Sequence, residues 1–297
     1  EYIDQFYGVG LSEDILGFSG SAWFGSSATY AEGFMLINGK ITHTDAALLL
    51  VFAHEAGHFF GIDHTQANID NQESSSGTPG MCGTTSDENY PLMYPIGCRT
   101  TNSLHADDIS AVSALYPATS FNTSFGTLKG RFLDAAGNAI LGANIWVIDI
   151  TTGESYSIVS DYLMQNTGFY KLFLPAGNYT LHANAINSEF YEGSGVGPYA
   201  ASVTDLSFVR PITPVTYQSD AGDDTVITIT VNQTVNIDFN SSGALVQPNS
   251  ADKDNSFSDL FGATSPLMLC LLLLPLTMGR TMNRGLSNKF KRNNHNN

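Results

Sequence analysis

The amino-acid sequence predicts two units of different class, an α+β unit over residues 1–117 and an all-β sandwich over residues 125–240. Three observations predict them. Residues 46–60 carry apolar side chains almost without a break, at the length of a helix buried on most sides, with two candidate strands before them. Residues 107–117 place Ile109, Val112 and Leu115 or Tyr116 at helical spacing. Beyond residue 117 come short β-branched and aromatic runs punctuated by Gly, Pro and Asn, the rhythm of a sandwich.

Taken in order, residues 15–24 and 30–38 read as strands joined by the small residues Gly25, Ser26 and Ser27. Thr44 or Asp45 is the expected N-cap of the long helix. Within and just beyond that helix the chain reads His54-Glu55-Ala56-Gly57-His58-Phe59-Phe60-Gly61-Ile62-Asp63-His64, the pattern HExxHxxGxxH. Residues four apart share a helix face, so His54 and His58 can address one metal ion, and Glu55 lies close enough to reach a metal-bound water. His64 would project from another side if the helix ran on straight. Gly61 resolves this by taking φ > 0, ending the helix and swinging the chain back. Three neutral imidazoles leave Zn²⁺ with an open position for water, the arrangement of a catalytic site. An amphipathic helix with surface His and Glu is the competing reading of HExxH alone, and Gly61 and His64 weigh against it.

This motif, with the segment Tyr90-Pro91-Leu92-Met93-Tyr94-Pro95 downstream, resembles the metzincin (zincin-like) metalloproteases, whose signature adds a methionine-containing turn. Several details are most similar to the matrixin branch: Thr65 directly after the third histidine, Leu92-Met93-Tyr94-Pro95 as the turn, and Asp107-Asp108-Ile109 to Leu115-Tyr116-Pro117 as the last helix of the catalytic domain. The resemblance implies a zinc endopeptidase with His54, His58 and His64 as metal ligands, Glu55 as catalytic base and Met93 as support beneath the histidines. It also implies that one of the two segments before the helix is the sheet edge along which an extended substrate lies. Tyr94 follows Met93 directly, unlike branches in which a tyrosine two places on touches zinc, and is not counted as a ligand. Fifty-three residues precede His54, fewer than the resemblance leads one to expect, so an α+β unit incomplete at its N-terminus is expected.

Cys82 and Cys98 bracket Met93 and read either as a disulfide closing a loop under the site or as two buried thiols. Residues 118–124 read as a small-polar linker. The second unit has expected strands over residues 126–134, 143–150, 156–160, 168–174 and 179–185, separated by turns at 135–138, 151–153 and 175–177. Over about residues 125–187 it resembles the carboxypeptidase regulatory-like, transthyretin-like fold, whose modules serve as spacers or stabilisers. After residue 187 an irregular extension is expected, with one or two strands over 225–239. Asp220, Asp223 and Asp224 beside Gly222 read as a structural Ca²⁺ site or a solvated acidic turn, and the spacing is not that of an EF-hand. Residues 241–264 read as a polar disordered linker.

The last stretch, 265–297, joins an apolar run (267–278) to a basic tail. Twelve residues span about 18 Å as a helix, short of the roughly 30 Å hydrocarbon core, so an ordinary transmembrane anchor is not expected. The stretch resembles a bacterial cell-surface sorting tail, with a marginal membrane anchor as the alternative. Formal net charge is −16, and five of the twelve basic residues fall in the final eighteen, so the body is more acidic still. Such a body repels nucleic acid. The expectation is a secreted or cell-surface zinc-dependent endopeptidase acting on protein or peptide substrates, in which zinc activates a water and Glu55 takes its proton. The rival is a catalytically impaired surface binding or adhesion protein that works through the sandwich. His43, His105, His182 and His295 are assigned to no metal.

Overall fold

The computed structural model describes residues 15–22, 32–41, 44–68, 82, 87–186, 196–197, 199, 212–218 and 225–246. The acidic trio Asp220, Asp223 and Asp224, His43, His295 and the apolar and basic segment 265–297 lie outside the described residues. Among those described, no helix is long and apolar enough to cross a membrane.

In the first unit, β1 (Gly17–Ala22) and β2 (Glu32–Ile37) pair antiparallel, with Gly17 opposite Ile37 and Ala22 opposite Glu32. Both pack on α1 (Asp45–Phe59), which carries the motif. Thr44 is its N-cap, the Thr44 hydroxyl accepting from Ala47 N. The other end closes as a Schellman motif: Ile62 N donates to Gly57 O and Gly61 N to His58 O, with Gly61 at φ 89°. That is the turn the sequence demanded of Gly61.

The expectation of a helix buried on most sides is corrected: Leu48, Leu49 and Phe52 are 41%, 53% and 53% exposed. Its buried residues are Glu55, Gly57 and His58, because the covering elements meet the helix in its C-terminal half. A similar inversion holds in α2 (Ala106–Leu115), where the buried residues are Asp107, Asp108 and Ser110 while Ile109 faces outward. His105 caps α2 in a reciprocal box, its ring accepting from Asp107 N and its own N–H donating to the Asp108 carboxylate. Cys82 and Cys98 form a disulfide across the turn that holds Met93.

Where a small-polar linker was expected, residues 118–124 contain a helical turn, α3 (Phe121–Ser124). Apolar contact explains it, since the Phe121 ring lies 5.1 Å from those of both Phe125 and Phe173. The sandwich follows with β3 (Gly126–Leu133), β4 (Ala143–Asp149), β5 (Ser155–Val159), β6 (Phe169–Leu174), β7 (Gly177–Ala185), β8 (Val215–Thr216), β9 (Ile227–Ile229), β10 (Thr234–Asn236) and β11 (Phe239–Asn240). One sheet runs β5, β4, β7, with β8 and β9 both on β7. The other is built on β3, with β6 antiparallel and β10 and β11 parallel to it. The stretch read as one or two strands is therefore three short ones, broken at a turn with Asn232 at φ 57°. Gly126 and Gly130 have a packing reason: an added Cβ at either would collide with the backbone of Thr230 or Ile237.

Candidate metal centre

His54 and His58 project from the last two turns of α1, and His64 returns from beyond Gly61. His64 Nε2 lies 3.2 Å from His54 Nε2 and 3.1 Å from His58 Nε2. The outer nitrogens of the helical pair are committed elsewhere, His54 Nδ1 donating to Leu92 O at 2.7 Å and His58 Nδ1 to Ile62 O at 2.8 Å. Each of these rings therefore turns a bare Nε2 lone pair inward. One proton on His64 could bridge to only one of them, so three nitrogens at this spacing call for a cation. A carbonyl behind each ligating imidazole is also the usual outer shell of a zinc histidine. The donor set fits Zn²⁺, and among the described residues it is the one such group of three.

Burial pushes the pKa of His54 down, His58 adding to this and the bond to Leu92 O opposing it. Burial lowers that of His58 as well, against Asp63 and Ile62 O. Neutral imidazoles are what metal ligation requires.

Glu55 is 5% exposed and meets β1. Ser19 Oγ lies 2.6 Å from Glu55 Oε2 and 2.6 Å from Glu55 O. A single hydroxyl proton serves one of these oxygens, and the other contact is satisfied when Glu55 holds a proton of its own. Burial moves Glu55 toward that state, with Ser19 and His54 opposing. Gly17, two places before Ser19 on the same face of β1, leaves room for this carboxylate: an added Cβ would sit 2.7 Å from Glu55 Oε1.

Met93 lies beneath the helix, 2% exposed, in a seat that Gly57 creates, since a Cβ at Gly57 would run into Met93 Sδ. The turn is tied down from three sides. His54 holds Leu92 O, Thr65 N donates to Met93 O at 3.1 Å, and Asp108 accepts from Leu92 N at 2.8 Å and Met93 N at 3.1 Å. Arg99 binds Glu88 O and Tyr90 O just upstream. Asp107 accepts from Thr65 Oγ1 at 2.7 Å.

The structure thus gathers His54, His58 and His64, sets Met93 below them and places Glu55 against β1. His105 caps α2, and His182 stacks on Trp146 with centroids 4.1 Å apart, so neither joins the cluster. Sequence reasoning missed Ser19, Gly57 and the carboxylate tethers from α2. The Asp107-Asp108 pair was visible only as a family detail, and nothing local links Ser19 to a glutamate 36 residues on.

Comparison with known proteins gives one family match. Residues 7–104 match the model of a metallo-peptidase family, M12 (Reprolysin_5), which covers the motif and the Met93 turn. Metallopeptidase character and a zinc-compatible histidine group therefore rest on both sequence and geometry. None of the curated proteins matches the chain. Among solved structures, the Klebsiella pneumoniae 5-hydroxyisourate hydrolase is 17% identical over 42% of this chain and 94% of its own, with TM-score 0.24. A DUF3823 family protein from Bacteroides uniformis is 13% identical over 39% of this chain and 42% of its own, with TM-score 0.21. The major pilin subunit of Bacillus cereus is 21% identical over 40% of this chain and 30% of its own, with TM-score 0.22.

Proposed function

We propose that this chain is a zinc-dependent endopeptidase of matrixin type that hydrolyses peptide bonds of extracellular proteins, with His54, His58 and His64 as ligands and Glu55 as general base. The observation that carries this is the convergence of three Nε2 atoms, two of them on rings held from behind by backbone carbonyls. The M12 match supports the peptidase class, and Thr65 after His64, with its bond to Asp107, supports the matrixin subtype.

Zinc bound there supplies Lewis-acid chemistry, lowering the pKa of a water toward neutrality and polarising the scissile carbonyl. The chain's own groups do the rest. Leu92 O and Ile62 O fix the ring orientation of His54 and His58. Glu55 takes a proton from the attacking water at its carboxylate and passes it to the leaving amine. Its burial-raised pKa brings it nearer the working pH, as a base needs. Ser19 holds that carboxylate in place from β1. Of the two candidate edge strands, β1 is the one that touches Glu55, and among the described residues no strand pairs with its far side. An extended peptide hydrogen-bonded along β1 would bring a scissile bond to Glu55.

The proposed organisation keeps the catalytic unit at 1–117 and a surface-attachment segment at 265–297, and carries the sandwich past 240, because residues 241–246, expected to open a disordered linker, are bonded into it through Ser241 N to Leu133 O and Val246 N to Asp238 O. Secretion or surface display is supported by the Cys82–Cys98 disulfide, which belongs to an oxidising compartment, and by the acidic body.

The test compares the full chain with Glu55→Ala for zinc content and for cleavage of a mixed peptide library. Zinc should be retained and cleavage should fall by roughly 10²- to 10⁴-fold. Equal cleavage by both would sink the mechanism, and a zinc-loaded wild-type chain with no turnover would favour the adhesion role.

A further inference from the structure

His54 and His58 ride on a helix, but His64 sits in an extended segment without regular structure, where a side chain keeps its place only if its neighbours are tied. Both neighbours are tied, and both ties lead to the sandwich. On one side, Asp63 splits its carboxylate: Oδ1 accepts the His64 backbone N–H at 2.8 Å and Oδ2 accepts the Tyr162 hydroxyl at 2.9 Å. On the other, Thr65 Oγ1 donates to Asp107 Oδ2 at 2.7 Å while Asp107 Oδ1 accepts Ser157 N at 2.9 Å. Tyr162 and Ser157 both belong to the second unit, Tyr162 in the turn after β5 and Ser157 within β5.

We infer that the β-sandwich is a positioning element of the metal centre: Tyr162 acting through Asp63, and Ser157 acting through Asp107, fix the two residues that flank His64. The inference rests on the reading of His54, His58 and His64 as ligands.

The geometry has the features of a positional relay. Each carboxylate gives one oxygen to His64 or its neighbour and the other to a sandwich donor, so a shift of the sandwich acts on the third imidazole from both sides. The relay is also stiff. Gly197, at φ 58°, lies so close to the Tyr162 ring that an added Cβ would be 2.6 Å from Cε2. Ser110 Oγ, on α2, donates to Phe173 O of β6 at 2.5 Å, and His105 Nε2 stands 3.4 Å from Glu154 Oε2, so the helix that carries Asp107 is itself braced on the sandwich. Ser157 lies in edge strand β5 opposite Trp146, with its N–H given to Asp107. Tyr162 and Ser157 are positioning residues, since neither reaches the histidines.

Direct hydrogen-bond partners of metal ligands typically govern about 10- to 100-fold in metal affinity, and residues one bond further out set an effect at the lower end of that range. The full chain is loaded with Zn²⁺ and the rate of zinc loss to a chelator is measured, and the Co²⁺-substituted protein is examined by visible absorption. Variants are Tyr162→Phe, Ser157→Pro, which deletes the N–H at a strand edge that tolerates proline, and Tyr170→Phe as a control. Tyr170 donates its hydroxyl to Ile237 O inside the sandwich at 2.6 Å, far from the relay. Tyr162→Phe and Ser157→Pro should each lose zinc about 10-fold faster with an altered cobalt spectrum, and Tyr170→Phe should match wild type. If Ser157→Pro loses its near-ultraviolet circular dichroism, Tyr162→Phe decides alone. A wild-type rate and spectrum in Tyr162→Phe, or an equal acceleration in Tyr170→Phe, would overturn the inference while leaving the ligand assignment intact. A wild-type chain that gives no histidine-ligated cobalt spectrum would overturn both.

Discussion

In the sandwich, Leu128, Phe132, Ile145, Val147, Leu174, Tyr179, Leu181 and Phe239 are wholly buried and pack on one another. Around the histidines the buried set is largely polar: Glu55, His58, Thr65, Arg99, His105, Asp107, Asp108 and Ser110, with Met93 and its neighbouring tyrosines as the apolar part. The large apolar residues of α1, Leu48, Leu49 and Phe52, make no core there and face outward. The contrast separates two jobs. Apolar burial is non-directional and holds a layer of strands together, whereas a carboxylate with two or three backbone donors fixes particular atoms to tenths of an ångström. A site that must converge three nitrogens needs the second kind.

The largest expected effect lies in the sandwich. Phe239 packs against Phe132, Tyr170 and Tyr217, with ring centroids 4.8, 6.0 and 6.1 Å away. Phe239→Ala should cost about 3–5 kcal/mol of sandwich stability in urea unfolding, through lost burial and the cavity left behind. A cost below about 1 kcal/mol would mean that this core is not what holds the strands. Next comes the Cys82–Cys98 crosslink, whose 16-residue separation is worth roughly 3 kcal/mol in the chain-entropy account. Gentle reduction should loosen the Met93 turn and speed zinc loss while the sandwich transition keeps its midpoint. A midpoint that moves with reduction would break the separation of the two regions.

The sequence made the parts with local periodicity legible. His54 and His58 on one face, Gly61 at positive φ and the strands from 126 to 185 all follow from rules that act over a few residues, whereas Met93 in its turn was legible only through the family resemblance. What escaped acts across long separations. Ser19 meets Glu55 from 36 positions away and Asp107 meets Ser157 from 50, and a polar pair so distant leaves no periodic trace in the chain. The outward face of α2 was missed for the same reason. Ile109, Val112 and Tyr116 keep helical spacing, but the tethering work falls to Asp107 and Asp108, whose burial depends on partners supplied by other segments. The disulfide sat between two open readings because sequence spacing alone does not set a Cα separation, here 5.4 Å.

A sharper probe of the polar tethers is Asp108, which accepts from Leu92 N, Met93 N and His105 N. Asp108→Ala should cost about 2 kcal/mol, because buried backbone donors lose a charged acceptor. Asp108→Leu should do no better, although it restores apolar volume. If Leu recovered most of the loss, burial and not the tether would be holding the turn.

Smallest per pH unit is a change of slope with pH, and it isolates the polar region because both groups sit in α2 or its cap. Burial pushes the Asp107 carboxyl up from 3.8 to about 7, with Ser157 N and Thr65 Oγ1 pulling it down and Asp108 adding to the rise. Burial holds the His105 ring at about 4 instead of 6.5, helped by the Arg99 charge. Asp107 keeps its proton in the folded chain after the unfolded chain has lost it, so its contribution is full below pH 3.8 and is lost as pH rises through 7. His105 does the reverse, since the unfolded chain takes up its proton first, and its contribution is full above pH 6.5 and is lost as pH falls toward 4. Between these limits the two slopes oppose each other, each at most about 1.4 kcal/mol per pH unit. Asp107→Asn removes one of them and still offers an acceptor to Ser157 N. Its stability, measured as urea midpoints from pH 4.5 to 6.5, should therefore climb with pH more steeply than that of the wild type. Parallel profiles would show that the Asp107 carboxyl titrates alike folded and unfolded, and that its seat between Thr65 and Ser157 is less dry than its burial indicates.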